Sequence, residues 1–115
     1  MSVGIRKTSA LVNVIAAGTP TLVYTLTQGR TAKIKKIMLF NNTANNDEVT
    51  FGQGAGVAFA ASMPAVLVLA GFDEQLSEWE VPQFEFVTNI YVSCNSAGLA
   101  APTPEEVQIE VEDIG

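Results

Sequence analysis

The chain of 115 residues contains no histidine and a single cysteine, Cys94. The missing histidine removes the usual general base near neutral pH, the commonest metal ligand and the base of Ser–His or Cys–His pairs. One cysteine cannot form an internal disulfide or a cysteine-based zinc site within one chain. Because Cys94 lies in an apolar-alternating segment, it is predicted to be a small buried hydrophobic residue. The sequence therefore predicts no enzyme, no catalytic residue, no cofactor and no metal site.

Charged residues are scarce: they make up 16% of the chain, whereas apolar residues make up 48%. An ordinary soluble domain has about 25% charged residues. The apolar content is enough to offset the entropy of ordering, which excludes a disordered chain, and the length predicts one domain over residues 1–115. The low charge indicates that part of the surface is covered by another molecule, such as a sister subunit.

The few charges are segregated along the chain. All six basic residues lie within residues 1–36, which contain no acid, and all twelve acids lie within residues 37–115. Either basic and acidic strands are neighbours in one sheet, or a basic face of one subunit meets an acidic face of a partner. The residues predicted to bind a partner are Arg6, Lys7, Lys33, Lys35, Lys36, Glu110 and Glu112.

Neither nucleic acid nor a membrane is expected as a partner. Six scattered cations on a chain of net charge −6 make a poor track for phosphates. The uncharged stretch 49–72 is long enough to span a bilayer, but it contains several glycines and Pro64 and has acids at both flanks. Two buried strands joined by a loop explain this stretch better, so the chain is predicted to be soluble.

Short β-rich runs separated by turn residues recur along the chain at a spacing of about ten residues. This spacing, with no persuasive amphipathic helix, predicts an all-β fold: an antiparallel β-sandwich or jelly roll of about eight strands in a single domain. The expected strands are residues 9–16, 21–27, 31–40, 48–51, 64–70, 76–81, 84–94 and 105–114.

Two strands have patterns that predict which side chains face the core. Ile34 and Ile37 flank Lys35 and Lys36, so both isoleucines can point inward only if a β-bulge lies at these lysines. The lysines are equally suited to protect an edge strand from aggregation. In the last strand, alternation places Val107, Ile109 and Val111 on one face and Glu106, Gln108, Glu110 and Glu112 on the other. This acidic face is the natural counterpart of the lysine strand.

Three further features are weaker candidates for a site. The Gly-rich residues 52–56 resemble part of a phosphate-cradling loop, but no Walker lysine follows, so a loop or tight bend is predicted. The acids of residues 78 and 80, like those of 110 and 112, share a strand face, which favours solvated acids over paired catalytic carboxylates. Trp79 falls in the expected strand 76–81, which favours a core or subunit-interface position over a sugar-stacking platform.

Residues 21–43 resemble small structural proteins of tailed bacteriophages. A strand ending in Tyr24-Thr25 and a turn containing Gly29 lead into an Ile/Lys strand and an Asn-Asn-Thr loop that ends at Thr43. With its size and strand count, the chain is similar to capsid decoration (cement) proteins. This resemblance implies jelly-roll subunits that form a homotrimer, bind the major capsid protein and stabilise the capsid surface of the virion, after synthesis in the host cytoplasm.

The same predicted fold leaves one alternative function open. A β-sandwich could serve as a carbohydrate-binding or receptor-binding module of a phage tail or cell-surface protein. That function requires an exposed aromatic residue, for which Trp79 and Tyr91 are the candidates.

Overall fold

The computed structural model describes residues 4–115, which form two antiparallel β-sheets. A short 3-10 helix, Gly56–Ala58, lies between the fifth and sixth strands. In chain order the strands are β1 (Gly4–Thr8), β2 (Val12–Val14), β3 (Thr21–Tyr24), β4 (Thr31–Asn41), β5 (Asp47–Gln53), β6 (Ala60–Ala61), β7 (Val66–Val68), β8 (Asp73–Leu76), β9 (Glu85–Phe86), β10 (Ile90–Cys94) and β11 (Glu105–Ile114).

The strand order is that of a jelly roll. Sheet A has the order β1-β11-β4-β8, with β2 also paired to β11 and β9 also paired to β4. Sheet B has the order β3-β10-β5-β6, with β7 also paired to β5. If β1/β2, β6/β7 and β8/β9 each count as one interrupted strand, the two sheets read 1-8-3-6 and 2-7-4-5, which is the arrangement of two Greek keys wrapped around a sandwich. The predicted all-β sandwich is confirmed.

The core lies between the sheets and is built from alternate positions of the long strands. In β11 every second residue is buried, as the sequence pattern predicts. The larger fully buried apolar side chains are Ile34, Ile37, Val107 and Ile109 from sheet A and Val49, Phe51, Val68, Ile90 and Val92 from sheet B, with Phe86 from β9. Each such side chain contributes about 1.5–3 kcal/mol relative to an exposed position.

The predicted bulge in β4 is present. Glu110 pairs with Lys36 and Val111 pairs with Ile34, so Lys35 is the extra residue of β4 opposite β11. The bulge turns both Ile34 and Ile37 into the core, where their exposed fractions are 1% and 0%.

Two expected strands differ from those of the structure. The expected strand 9–16 is shortened to β2, and β1, which precedes it, was not predicted; both strands pair with β11 and are separated by residues 9–11. Every residue of β1 is exposed, so this strand has no apolar alternation that would have marked it. The expected strand 84–94 is divided into β9 in sheet A and β10 in sheet B. Gln53 Oε1 accepts hydrogen bonds from Val87 N and Thr88 N where the chain crosses between the sheets.

Candidate interaction surfaces

The predicted charged residues come together on the outer face of sheet A. Lys36 stands opposite Glu110, and Lys33 and Arg6 stand on either side of Glu112. Arg6 is the centre of the cluster, with guanidinium nitrogens 2.7 Å from Glu110 Oε1 and 4.0 Å from Glu112 Oε2. The hydrogen bond to Glu110 raises the pKa of Arg6. Basic and acidic strands are therefore neighbours within one sheet of one chain.

Lys35 extends this cluster along the outer edge of the bulge. Its Nζ lies 3.8 Å from Glu78 Oε1 and donates a hydrogen bond of 3.2 Å to Gln83 Oε1. Arg6 also reaches Glu78, at 2.8 Å. Arg6 and Lys35 thus share one carboxylate that comes from the turn after β8. These bonds hold that turn against the face of sheet A.

A second group of charges lies at the same end of β11 but on its inner face. Asp113 is nearly fully buried and accepts hydrogen bonds from Tyr24 Oη, at 2.6 Å, and from Arg30. Lys7 Nζ lies 3.8 Å from Asp113. Burial acts to raise the pKa of Asp113, but the bonds from Tyr24 and Arg30 outweigh it and hold the pKa below its usual value. Burial, with the bond to Asp113, raises the pKa of Tyr24 to about 12.

Sheet B differs from sheet A in charge. Its strands contain no basic residue, and their two acids are the buried Asp47 and the exposed Glu48. The outward positions pair Tyr91 with Leu22 and Ser93 with Thr50. Leu67 stands opposite Glu48 and is 54% exposed. The outer face of sheet B, formed by these residues, is therefore almost uncharged.

A pair of buried carboxyl groups lies between the sheets. Asp47 from β5 and Glu105 from β11 both have an exposed fraction of 0%. Asp47 Oδ1 accepts hydrogen bonds from Asn95 N and Ser96 N, whereas Asp47 Oδ2 and both oxygens of Glu105 have no donor. Burial first, and then the neighbouring Asp47 carboxylate, raises the pKa of Glu105 to about 8. A proton on Glu105 would supply the donor that Asp47 Oδ2 lacks.

Sequence reasoning missed this pair, although a signal was present. Glu105 has the same parity in β11 as the core residues Val107 and Ile109, so strict alternation turns it inward. Cys94 lies beside the pair and is buried, as predicted. Its pKa is raised, mainly by burial and also by the charge of Asp47. Cys94 is therefore an unreactive thiol.

Trp79 is the clearest correction to the sequence reasoning. The expected strand 76–81 does not form: β8 ends at Leu76, and Trp79 lies in the following turn with 92% of its side chain exposed. The turn forms because Glu80 Oε1 accepts hydrogen bonds from Ser77 N, at 3.0 Å, and Ser77 Oγ, at 2.9 Å. These bonds, with the backbone bond first, lower the pKa of Glu80. A core position for Trp79 is thereby excluded within this chain.

The Gly-rich segment forms a tight bend, as predicted. A Cβ on Gly52 would clash with the carbonyl oxygen of Ala60 from the paired strand β6. Gly54 has φ of +93°, a left-handed conformation that favours glycine.

Within residues 4–115, no group of three or more His, Cys, Asp or Glu side chains has a geometry that could hold a metal ion. In the same residues, no helix has the length and apolar character needed to cross a bilayer.

Comparison with known proteins defines the class of fold. A chain of the Bacillus endospore appendages, described as a novel family of disulfide-linked pili, matches with a TM-score of 0.50 and 14% identity over 99% of this chain and 88% of that chain. At this identity the likeness concerns the fold alone, and it agrees with the jelly-roll strand order.

Two viral chains match with lower TM-scores. A chain of infectious bursal disease virus, Gx strain, has a TM-score of 0.46 and 12% identity over 99% of this chain and 33% of that chain. A chain of the cyanophage Pam1 capsid has a TM-score of 0.40 and 17% identity over 97% of this chain and 85% of that chain. No family model matches the sequence, and no curated protein matches it.

Proposed function

We propose that this protein is a non-enzymatic capsid decoration (cement) protein of a tailed bacteriophage. It assembles as a homotrimer, binds the major capsid protein on the capsid surface and stabilises the virion. The resemblance of residues 21–43 to phage structural proteins supports this function, and those residues form β3, β4 and the loop that follows them.

One observation carries the proposal: the two outer faces of the sandwich have different chemistry. All the basic residues found in described strands belong to sheet A, whereas the outer face of sheet B is almost uncharged. A protein of net charge −6 repels its own copies, so a self-contact is least opposed through a face that has few acids. Leu22, Tyr91 and Leu67 supply apolar and aromatic area on that face.

The outer face of sheet A is then the surface that contacts the capsid. Arg6 is paired with acids of its own chain while its side chain is 43% exposed, and exposed pairs of this kind contribute little to folding. Exchange of these Arg6 pairs for an acidic surface on a partner therefore costs little. Many such contacts, repeated by symmetry over a lattice, give strong attachment from weak individual bonds.

A triple substitution tests the role of the sheet A face. Replacing Lys33, Lys35 and Lys36 with serine should weaken binding to capsids assembled without this protein, and the salt dependence of binding should become shallower. Cosedimentation with capsids across a salt series measures both effects. Gln108→Ser is the matched control, because Gln108 lies on the same face without a charge. If the triple variant and the native protein have the same oligomer mass and the same capsid binding, the proposed function is wrong.

A further inference from the structure

Trp79 is the only tryptophan of the chain and is almost fully exposed. The turn that carries Trp79 is held by several hydrogen bonds. Besides the two bonds to the Glu80 carboxylate, Glu80 N and Val81 N donate backbone hydrogen bonds to Ser77 O, at 3.0 and 3.2 Å. Val81, two residues after Trp79, is 4% exposed and anchors the turn in the core. The indole is therefore presented on a structured support, which lowers the entropic cost of binding.

The surroundings of the indole are polar. Trp79 lines a shallow cavity of about 310 Å³ together with Lys35, Glu78, Val81 and Gln83. Among these lining residues Val81 is buried, so the indole is the exposed apolar group of the cavity. A tryptophan that serves as a protein-binding hot spot normally lies in a well-packed, desolvated pocket near the centre of an interface. Here it is bordered by an ammonium group, a carboxylate and an amide.

We propose that Trp79 and this polar border form a binding site for a pyranose ring of a neutral saccharide. One face of a pyranose carries C–H groups that pack on an indole, while its hydroxyls donate to Glu78 and Gln83 and accept from Lys35. Lys35 and Glu78 lie 3.8 Å apart, so their charges offset one another and neither an anion nor a cation is favoured. This binding site does not rest on the capsid role, but it shares Lys35 with the face that is proposed to contact the capsid.

Intrinsic fluorescence tests the site directly, because all tryptophan emission comes from Trp79. The probes are neutral hexasaccharides of glucose, of N-acetylglucosamine and of galactose. At least one probe should shift the emission to shorter wavelength in a saturable way. Trp79→Ala should lower the calorimetric affinity for that probe about tenfold or more. Phe72→Ala is the matched control, since Phe72 is an exposed aromatic residue away from this cavity, and should bind normally.

A second variant tests whether the ordered turn contributes to saccharide binding. Glu80→Gln weakens the bonds that hold the turn but leaves Trp79 in place, so it should reduce the affinity less than Trp79→Ala does. Three results would overturn the proposal: no probe alters the emission up to about 10 mM, Trp79→Ala binds as well as the native protein, or the emission shifts with protein concentration alone. The last result would mean that a second copy covers the indole.

Discussion

At the residue scale, the most unusual feature is the carboxyl pair of Asp47 and Glu105. Burying an ionised carboxylate without a partner is costly, whereas a protonated one that donates to its neighbour is tolerated. Asp47 Oδ1 already accepts hydrogen bonds from two backbone N–H groups, and burial raises the pKa of Glu105, so we assign the shared proton to Glu105. The pair therefore places a group that titrates near neutral pH inside the core.

The stability of the protein should depend on this proton. Since the pKa of Glu105 rises from 4.5 to about 8 on folding, its stabilising effect is complete below pH 4.5 and is lost as pH rises towards 8. Glu105→Gln keeps a donor towards Asp47 but does not titrate. Between pH 5 and pH 8 the unfolding free energy of the native protein should therefore fall relative to that of the variant, by on the order of 1 kcal/mol per pH unit in the middle of this range. Urea unfolding at several pH values measures this difference, and parallel curves would contradict the shared proton.

Asp113, which is bonded to Tyr24 and Arg30, does not interfere with this pH measurement. The pKa of Asp113 is lowered, so its contribution is lost only as pH falls below its usual value of 3.8. Its titration therefore lies outside the window of Glu105.

At the element scale, the bulge in β4 shows how far a sequence pattern can be taken. The spacing of Ile34 and Ile37 predicts both the bulge and its location, because two isoleucines three residues apart cannot otherwise share a strand face. The strand predicted over residues 76–81 is wrong. The sequence alternates there, but the local hydrogen bonds between Ser77 and Glu80 form a turn in place of strand pairing.

Deletions in β4 test the bulge. Removing Lys35 leaves Lys36 opposite Glu110 and both isoleucines inward, so the register with β11 is conserved. The loss of the bonds of Lys35, whose side chain is 12% exposed, should cost about 1–2 kcal/mol. Removing Met38 instead turns Leu39, which is 2% exposed, towards solvent and should cost roughly 3 kcal/mol or more. Chemical denaturation of the two variants measures the contrast, and equal losses of stability would show that the bulge does not set the register.

The breaks between strands were harder to foresee. The crossing between β9 and β10 depends on Gln53, a residue more than thirty positions earlier in the chain whose carbonyl oxygen accepts from Val87 and Thr88. A contact between residues so far apart leaves no pattern in the local sequence, so the sequence predicts a continuous strand over residues 84–94. By contrast, the bounds of β11 are as predicted, because its alternation is uninterrupted and directly reflects burial.

At the scale of the whole molecule, the charge segregation of the sequence becomes a difference between two faces. Residues 1–36 supply every cation, and those that fall in described strands lie in β1 and β4, on either side of the acidic β11. Composition alone indicated that some surface is covered, but not which surface. The strand order brings β3, β10 and β5 together in sheet B, where the buried Asp47 and the exposed Glu48 are the two acids, and this supports the proposal that the outer face of sheet B is the covered one.

The proposed function depends most on the packing of the almost uncharged outer face of sheet B against copies of the same chain. Sedimentation equilibrium across a dilution series tests it most directly: the native protein should have three times the chain mass of 12.2 kDa. Leu22→Glu combined with Leu67→Glu, both at exposed positions of that face, should reduce the mass to that of a single chain without loss of folding. A native protein of 12.2 kDa at every concentration, or a trimer that the two glutamates leave intact, would contradict the claim.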